Sequence, residues 1–177
     1  RFELVCYGTD CSFAKERKAL EEAMGLSPAA ILIEPSSNII PNPNIALIED
    51  IRHKGIPVVY LYSSYKETKD CLCIEEDDYQ GAIKLVSHLK EKGHKKTCCI
   101  FRCDDSRGLA RYKGYIEACK EFGISFDEHN AFFITSRDRN KIVKGDNEIL
   151  HTFINETDPD CTAVICHNDE IAYRLIQ

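Results

Sequence analysis

Hydrophobic and polar positions along the chain keep switching between two periods. Phe2-Glu-Leu-Val-Cys-Tyr7 reads as an opening strand, and Ser12 to Met24 then places Phe13, Leu20, Ala23 and Met24 at helical spacing. Ala29-Ala-Ile-Leu-Ile33 is a short continuous apolar run of the buried-strand type. Ile45, Ile48 and Ile51 mark a second helix, stopped by Gly55 before the strand Pro57-Val-Val-Tyr-Leu61. The shorter run Cys71-Leu-Cys-Ile74 precedes the acidic stretch Glu75-Glu-Asp-Asp78. Ala82, Ile83, Leu85, Val86 and Leu89 then form a broad stripe ending at Gly93, and Thr97 to Phe101 is the next strand. The cycle repeats with a helix from Gly108 to Phe122, a strand at Ala131-Phe-Phe-Ile-Thr135 and a helix from about Asp146 to Asn155. A strand at Asp160 to Cys166 and a helix entering at Asn168 complete it. This βα alternation predicts parallel sheets covered by helices.

Composition narrows the functions open to such a fold. The 177 residues are 44% hydrophobic and 29% charged, enough for a substantial core and at most two small lobes. No apolar run approaches the roughly 20 residues that a membrane span requires. The net charge of −6 argues against a broad basic face for nucleic acid on this chain. The acidic stretch divides the text into residues 1–75 and 76–177, read as two partial lobes joined by a hinge near Ile74 to Glu76. Asp77 or Asp78 is read as a helix cap rather than a metal ligand. Arg1 in place of Met and a helix still running at Ile176-Gln177 read as the edges of an excised piece.

Ten cysteines lie in a core-rich chain, several of them inside apolar runs (Cys98-Cys99, Cys161, Cys166), where a thiol acts as a small hydrophobe. Reduced thiols and a cytoplasmic location are the expectation. Cys71-Leu-Cys73 and Cys98-Cys99 lack zinc-ribbon spacing, so neither a metal nor a cofactor is expected. The glycosylation pattern Asn155-Glu-Thr157 is without meaning in that compartment.

Ligands of open parallel sheets bind beyond the carboxyl ends of the strands. Those ends carry Tyr7-Gly-Thr-Asp10, Glu34-Pro-Ser-Ser37, Tyr62-Ser-Ser-Tyr65, Arg102-Cys-Asp-Asp105, Thr135-Ser-Arg137 and His167-Asn-Asp169. Carboxylates, amides, a guanidinium and aromatic rings suit a sugar, whose hydroxyls donate and accept at once and whose ring has an apolar face. Loop ends are polar by default, so each residue also has a plainer reading. One of Asp104 and Asp105 is expected to cap the helix that follows, as is one of Asn168 and Asp169, while Arg111 has the position of a solvated helix residue. His167 has no partner at the spacing of a nucleophile elbow, and no glycine-rich phosphate loop is present, so no enzyme is expected.

Several segments together resemble the effector-binding domain of the lac-repressor family. They are Ile31-Leu-Ile-Glu-Pro-Ser36, Asn42-Pro-Asn44, Lys54-Gly-Ile-Pro57, Asp77-Asp-Tyr-Gln-Gly81, His88-Leu89 with Gly93-His94, Ile100-Phe-Arg-Cys-Asp-Asp105, Arg111-Tyr-Lys-Gly114 and Cys166-His-Asn-Asp-Glu-Ile-Ala172. The resemblance implies a periplasmic-binding-protein-like α/β fold of two Rossmann-like lobes with parallel sheets, present here as a fragment. It further implies a sugar effector in the cleft, a homodimer, and operator DNA read by a winged-helix module upstream of this chain. Glu34-Pro35, Asp104-Asp105 and Asn168 to Ala172 resemble a subgroup responding to a pentose, with L-arabinose the first choice. By position, Arg111 and Asn168 correspond to the family's sugar-binding arginine and asparagine. Asp105, Asp104, Glu34 and Asp169 are further candidate contacts, and Tyr62 or Tyr65 a candidate ring wall. A sugar-binding protein of a transport system and an α/β sugar-modifying enzyme are the competing readings.

Overall fold

The computed structural model describes residues 3–177 and divides the chain into two compact units, Arg1–Glu76 and Asp77–Gln177. The first contains α1 (Phe13–Gly25), β1 (Ile31–Ile33), α2 (Ile45–His53), β2 (Val58–Leu61) and β3 (Leu72–Ile74). Its strands form one parallel sheet in the order β1-β2-β3, with Ile33 opposite Tyr60 and Tyr60 opposite Cys73. One face of that sheet carries Ile31, Ile33, Val58 and Tyr60, packed against Leu20 of α1 and Ile48 and Ile51 of α2. Both helices therefore serve a single face. Ser12 caps α1 through its side chain, accepting from the Lys15 N–H, which explains why the helical pattern starts there.

The second unit contains α3 (Asp78–Glu91), β4 (Thr97–Arg102), α4 (Ser106–Phe122), β5 (Ala131–Ile134), α5 (Ser136–Val143), α6 (Glu148–Glu156), β6 (Ala163–Cys166) and α7 (Asp169–Ile176). Its parallel sheet has the order β5-β4-β6, placing β4 at the centre. Adjacent residues of β4 serve opposite faces. Cys99 and Phe101 pack with Val86 of α3 and with Tyr115, Ala118 and Cys119 of α4. Cys98 and Ile100 pack with Ile142 of α5, Leu150 and Phe153 of α6, and Ile171 of α7. Buried on both faces, this strand reads as a continuous apolar run, as central parallel strands do. All ten cysteines are free thiols, and burial pushes the Cys98 thiol up to about 12, the direction of an inert core group.

Two expectations are corrected. Within the opening run, Phe2 lies outside the described residues, and Glu3 to Tyr7 is exposed, irregular chain rather than a strand. A strand exists only through its ladder, and β1 pairs with β2 alone among the described strands, leaving the run without a neighbour. Between Thr135 and Asp146, where the periodicity shows no element, α5 forms on two apolar residues, Ile142 and Val143. A reciprocal capping box fixes its start: Thr135 Oγ1 accepts from the Asp138 N–H, and the Asp138 carboxylate accepts from the Thr135 N–H. Among the described residues, no helix is long and apolar enough to cross a membrane.

Candidate functional site

In the second unit the chain leaves β4 for β5 on one side of the sheet and later returns to β6 on the other. The helix following β4 packs on one face and the helix following β6 on the opposite face. A sheet opens a crevice at such a reversal, here beyond the carboxyl ends of β4 and β6. That is where Arg102, Asp104, Asp105, Arg111, His167 and Asn168 fall.

Arg111 is a built group rather than a solvated helix residue. Its Nε donates to Asp78 Oδ1 at 2.7 Å, its Nη2 lies 2.6 Å from the same oxygen, and its Nη1 donates to the His167 carbonyl. Asp78, buried in the first turn of α3, thus orients the guanidinium, while Asp77 caps that helix by accepting from the Gln80 N–H. A guanidinium carries five N–H groups, so this clamp leaves hydrogens on both terminal nitrogens for a ligand.

Asp105 caps α4, accepting from the Arg107 N–H at 3.0 Å, and its other oxygen lies 3.0 Å from Arg102 Nη1. Burial raises its carboxyl, but Arg102, the Arg107 N–H and the Arg107 guanidinium outweigh that, leaving it below the usual carboxylate range. Asp104 turns elsewhere and accepts from the Ser136 N–H at 2.7 Å, so the two adjacent carboxylates diverge. Asn168 caps α7 by accepting from the Ile171 N–H, and its amide donates to Glu170. Asp169 opens that helix beside an open hollow lined by Val143, Asp169, Glu170, Tyr173 and Arg174. His167, which the sequence offered no nucleophile to pair with, is buried. It is 4% exposed, its Nδ1 has no hydrogen-bond partner among the described residues, and burial, with Arg111 and Arg102 nearby, pushes the imidazole down to about 3. The guanidiniums of Arg102, Arg107 and Arg111 are balanced by the carboxylates of Asp78, Asp104 and Asp105. Such a rim suits a neutral polyhydroxyl ligand.

The remaining candidates belong to the first unit. Glu34 is exposed on the loop after β1, and Tyr62, at φ +67, is exposed immediately after β2. The Tyr65 ring wall is corrected. Its ring is 1% exposed and meets Tyr60 edge-on at 5.7 Å inside the core, while its hydroxyl donates to Glu16 and accepts from the Ser36 N–H. The ring has no face left for a ligand. Among the described residues, no group of three or more His, Cys, Asp or Glu side chains is arranged to hold a metal ion.

Parallel α/β units with an arginine-centred polar rim beyond the strand ends have the architecture of small-molecule-binding domains. Residues 39–176 match the family of periplasmic binding proteins and the sugar binding domain of the LacI family, and the chain belongs to that family. It is 29% identical over 175 residues to an arabinose metabolism transcriptional repressor of Halalkalibacterium halodurans, covering 99% of this chain and 46% of the relative. A protein of the same name from Geobacillus stearothermophilus is 28% identical over 177 residues, covering 99% and 48%. The chain spans about half the length of the curated relatives it matches. Among solved structures, the fold is similar to the Cra transcriptional dual regulator of Pseudomonas putida in complex with fructose 1-phosphate, with a TM-score of 0.78 at 14% identity, covering 99% of this chain and 61% of that one. It is also similar to a putative ribose operon repressor from Burkholderia thailandensis, with a TM-score of 0.73 at 17% identity and the same coverages.

Proposed function

We propose that this chain is the effector-sensing part of a transcriptional repressor and that its effector is a pentose, L-arabinose before its isomers. The observation that carries the reading is the clamped Arg111, held by Asp78 and the His167 carbonyl next to the helix-capping Asn168. A guanidinium fixed on three of its N–H groups offers the others at low entropic cost, the preorganisation that polyol binding needs. Arg111 and Asn168 take hydroxyls in this reading, with Asp105, Asp104 and Asp169 nearby as acceptors. Glu34 and Tyr62 contribute from the first unit when the sugar is gripped between the two.

The sugar regulates by differential affinity. A ligand that touches both units in one arrangement only shifts the population toward that arrangement, and about 1–3 kcal/mol of coupling is typical. Operator DNA is then read by a winged-helix segment outside this chain, in a cytoplasmic homodimer. Curated relatives along the whole chain are named as repressors, which supports this reading over a transport binder or an enzyme.

Isothermal calorimetry with L-arabinose, D-ribose and D-galactose tests it. Arabinose heat, lost at least tenfold in affinity in Arg111→Ala, is the expected outcome. No heat with any sugar, or unchanged affinity in Arg111→Ala, overturns the proposal.

A further inference from the structure

The first unit holds a buried carboxylate that the sugar site as described does not use. Glu16, in the first turn of α1, is 3% exposed, and no ion pair to a basic side chain is found for it among the described residues. It is satisfied entirely by neutral donors. Its Oε1 accepts from Asn42 Nδ2 at 2.8 Å and Asn44 Nδ2 at 3.1 Å, while its Oε2 accepts from the Ser36 N–H at 3.3 Å and from the Tyr65 hydroxyl. The start of α1 adds the positive end of a helix dipole.

The four donors come from the loop after β1, the segment leading into α2, and the loop after β2. These are the carboxyl-end segments of this sheet, and they include Asn42-Pro-Asn44, a motif so far without a role. The network continues outward: the Asn44 N–H donates to Asn42 Oδ1 at 2.8 Å, Asn44 Nδ2 donates to the Phe13 carbonyl at 2.8 Å, and Ser36 Oγ donates to Thr9 Oγ1 at 3.2 Å. Ser36, Asn38, Asn42 and Asn44 are all buried. An apolar side chain of similar volume would fill the space without desolvating a charge. What a carboxylate adds is direction: each donor must arrive along an oxygen lone pair, so each segment is held at one place.

We propose that Glu16 is a positioning residue for the effector, acting through Ser36. Ser36 lies two residues beyond Glu34, and the intervening Pro35 has its φ fixed by its ring. Locking the Ser36 N–H onto Glu16 and the Tyr65 oxygen therefore sets where the Glu34 side chain leaves the loop. This inference rests on the sugar reading above and adds to it how the rim of the first unit is held.

The test is calorimetry of L-arabinose and D-ribose on the protein carrying Glu16→Gln, alongside Tyr65→Phe, the double variant, and Ile51→Val. Glutamine keeps one acceptor for the two asparagines but turns an NH₂ toward the Ser36 N–H. The expected result is at least a tenfold loss of arabinose affinity in Glu16→Gln and a changed arabinose-to-ribose preference. The double variant should lose no more than the worse single one. Ile51→Val, which thins the same core without touching the network, should stay within twofold in affinity and unchanged in preference. If Arg111→Ala abolishes arabinose binding while Glu16→Gln binds as the unmutated protein does, the positioning role is overturned and the sugar reading stands. If Glu16→Gln and Ile51→Val lose affinity alike with no change in preference, Glu16 only supports the fold and the inference fails. If the unmutated protein binds neither sugar, both readings fall.

Discussion

His167 sits below its ordinary pKa because burial comes first and the positive charges of Arg111, Arg102 and Arg107 add to it, against the opposing pull of Asp105. The unfolded chain, with an imidazole near pH 6.5, takes up a proton over a range where the native chain refuses it. Stability is therefore full above about pH 6.5 and declines toward the native value of about 3, with a limiting slope of about 1.4 kcal/mol per pH unit. Asp105 acts lower on the scale: its depressed native pKa gives stability above the unfolded carboxylate value, lost as acid protonates it. Urea denaturation followed from neutrality to about pH 4.5 should show a steep loss in the unmutated chain and a much flatter one in His167→Gln. Equal slopes in both would mean that the imidazole is not held neutral. None of this was visible in the sequence. A histidine after a strand has no signature of burial, and the clamp on Arg111 depends on Asp78, 33 residues away in the chain. The caps were more legible, since Asp105 and Asn168 each precede a helix within a short polar stretch, and the structure only decides which of two neighbours caps.

At the scale of elements, α3 and α4 pack closely because Gly114 lets them. A Cβ there would lie 2.3 Å from the Tyr79 carbonyl oxygen and 3.1 Å from Ala82 Cβ, so Gly114→Ala must push the helices apart. A cost of about 1–3 kcal/mol is expected, in the range of overpacked cores. Gly81, in α3 itself, has nothing within 4 Å of the same added atom. Gly81→Ala should stabilise by about 0.5–1 kcal/mol through helix propensity alone. Thermal and urea unfolding of the two variants would separate these opposite signs. The helices themselves were readable because each has an apolar stripe, and α1, α2, α3 and α4 fall within a few residues of the periodic pattern. The α5 helix escaped because its single buried residue is Ile142. Its legible signal was the Thr135-x-x-Asp138 capping box, a local hydrogen-bond pattern rather than a hydrophobic one. The opening run failed for the converse reason: alternation reports suitability for a sheet, while a ladder partner decides whether a strand forms.

Across the whole molecule, the two sheets differ in how they are covered. In the second unit, both faces of β4 are buried under helices. In the first, register puts Leu32, Val59 and Leu72 in one row and Leu61 and Ile74 in the next, on the face opposite α1 and α2. Leu32, Leu72 and Ile74 are 56%, 65% and 61% exposed, an aliphatic patch of the kind that an all-parallel sheet normally hides. Two substitutions should therefore behave oppositely. Replacing Leu72 and Ile74 together by Gln removes little buried area and should cost under about 1 kcal/mol, while sharply reducing binding of a fluorescent hydrophobic dye to the native chain. Ile100→Ala in β4 empties a fully buried site and should cost about 2–5 kcal/mol with native-state dye binding unchanged. Denaturation paired with dye titration on the same samples makes the comparison. Dye binding that survives the Leu72 and Ile74 replacements would show that the exposed apolar surface of the molecule lies elsewhere.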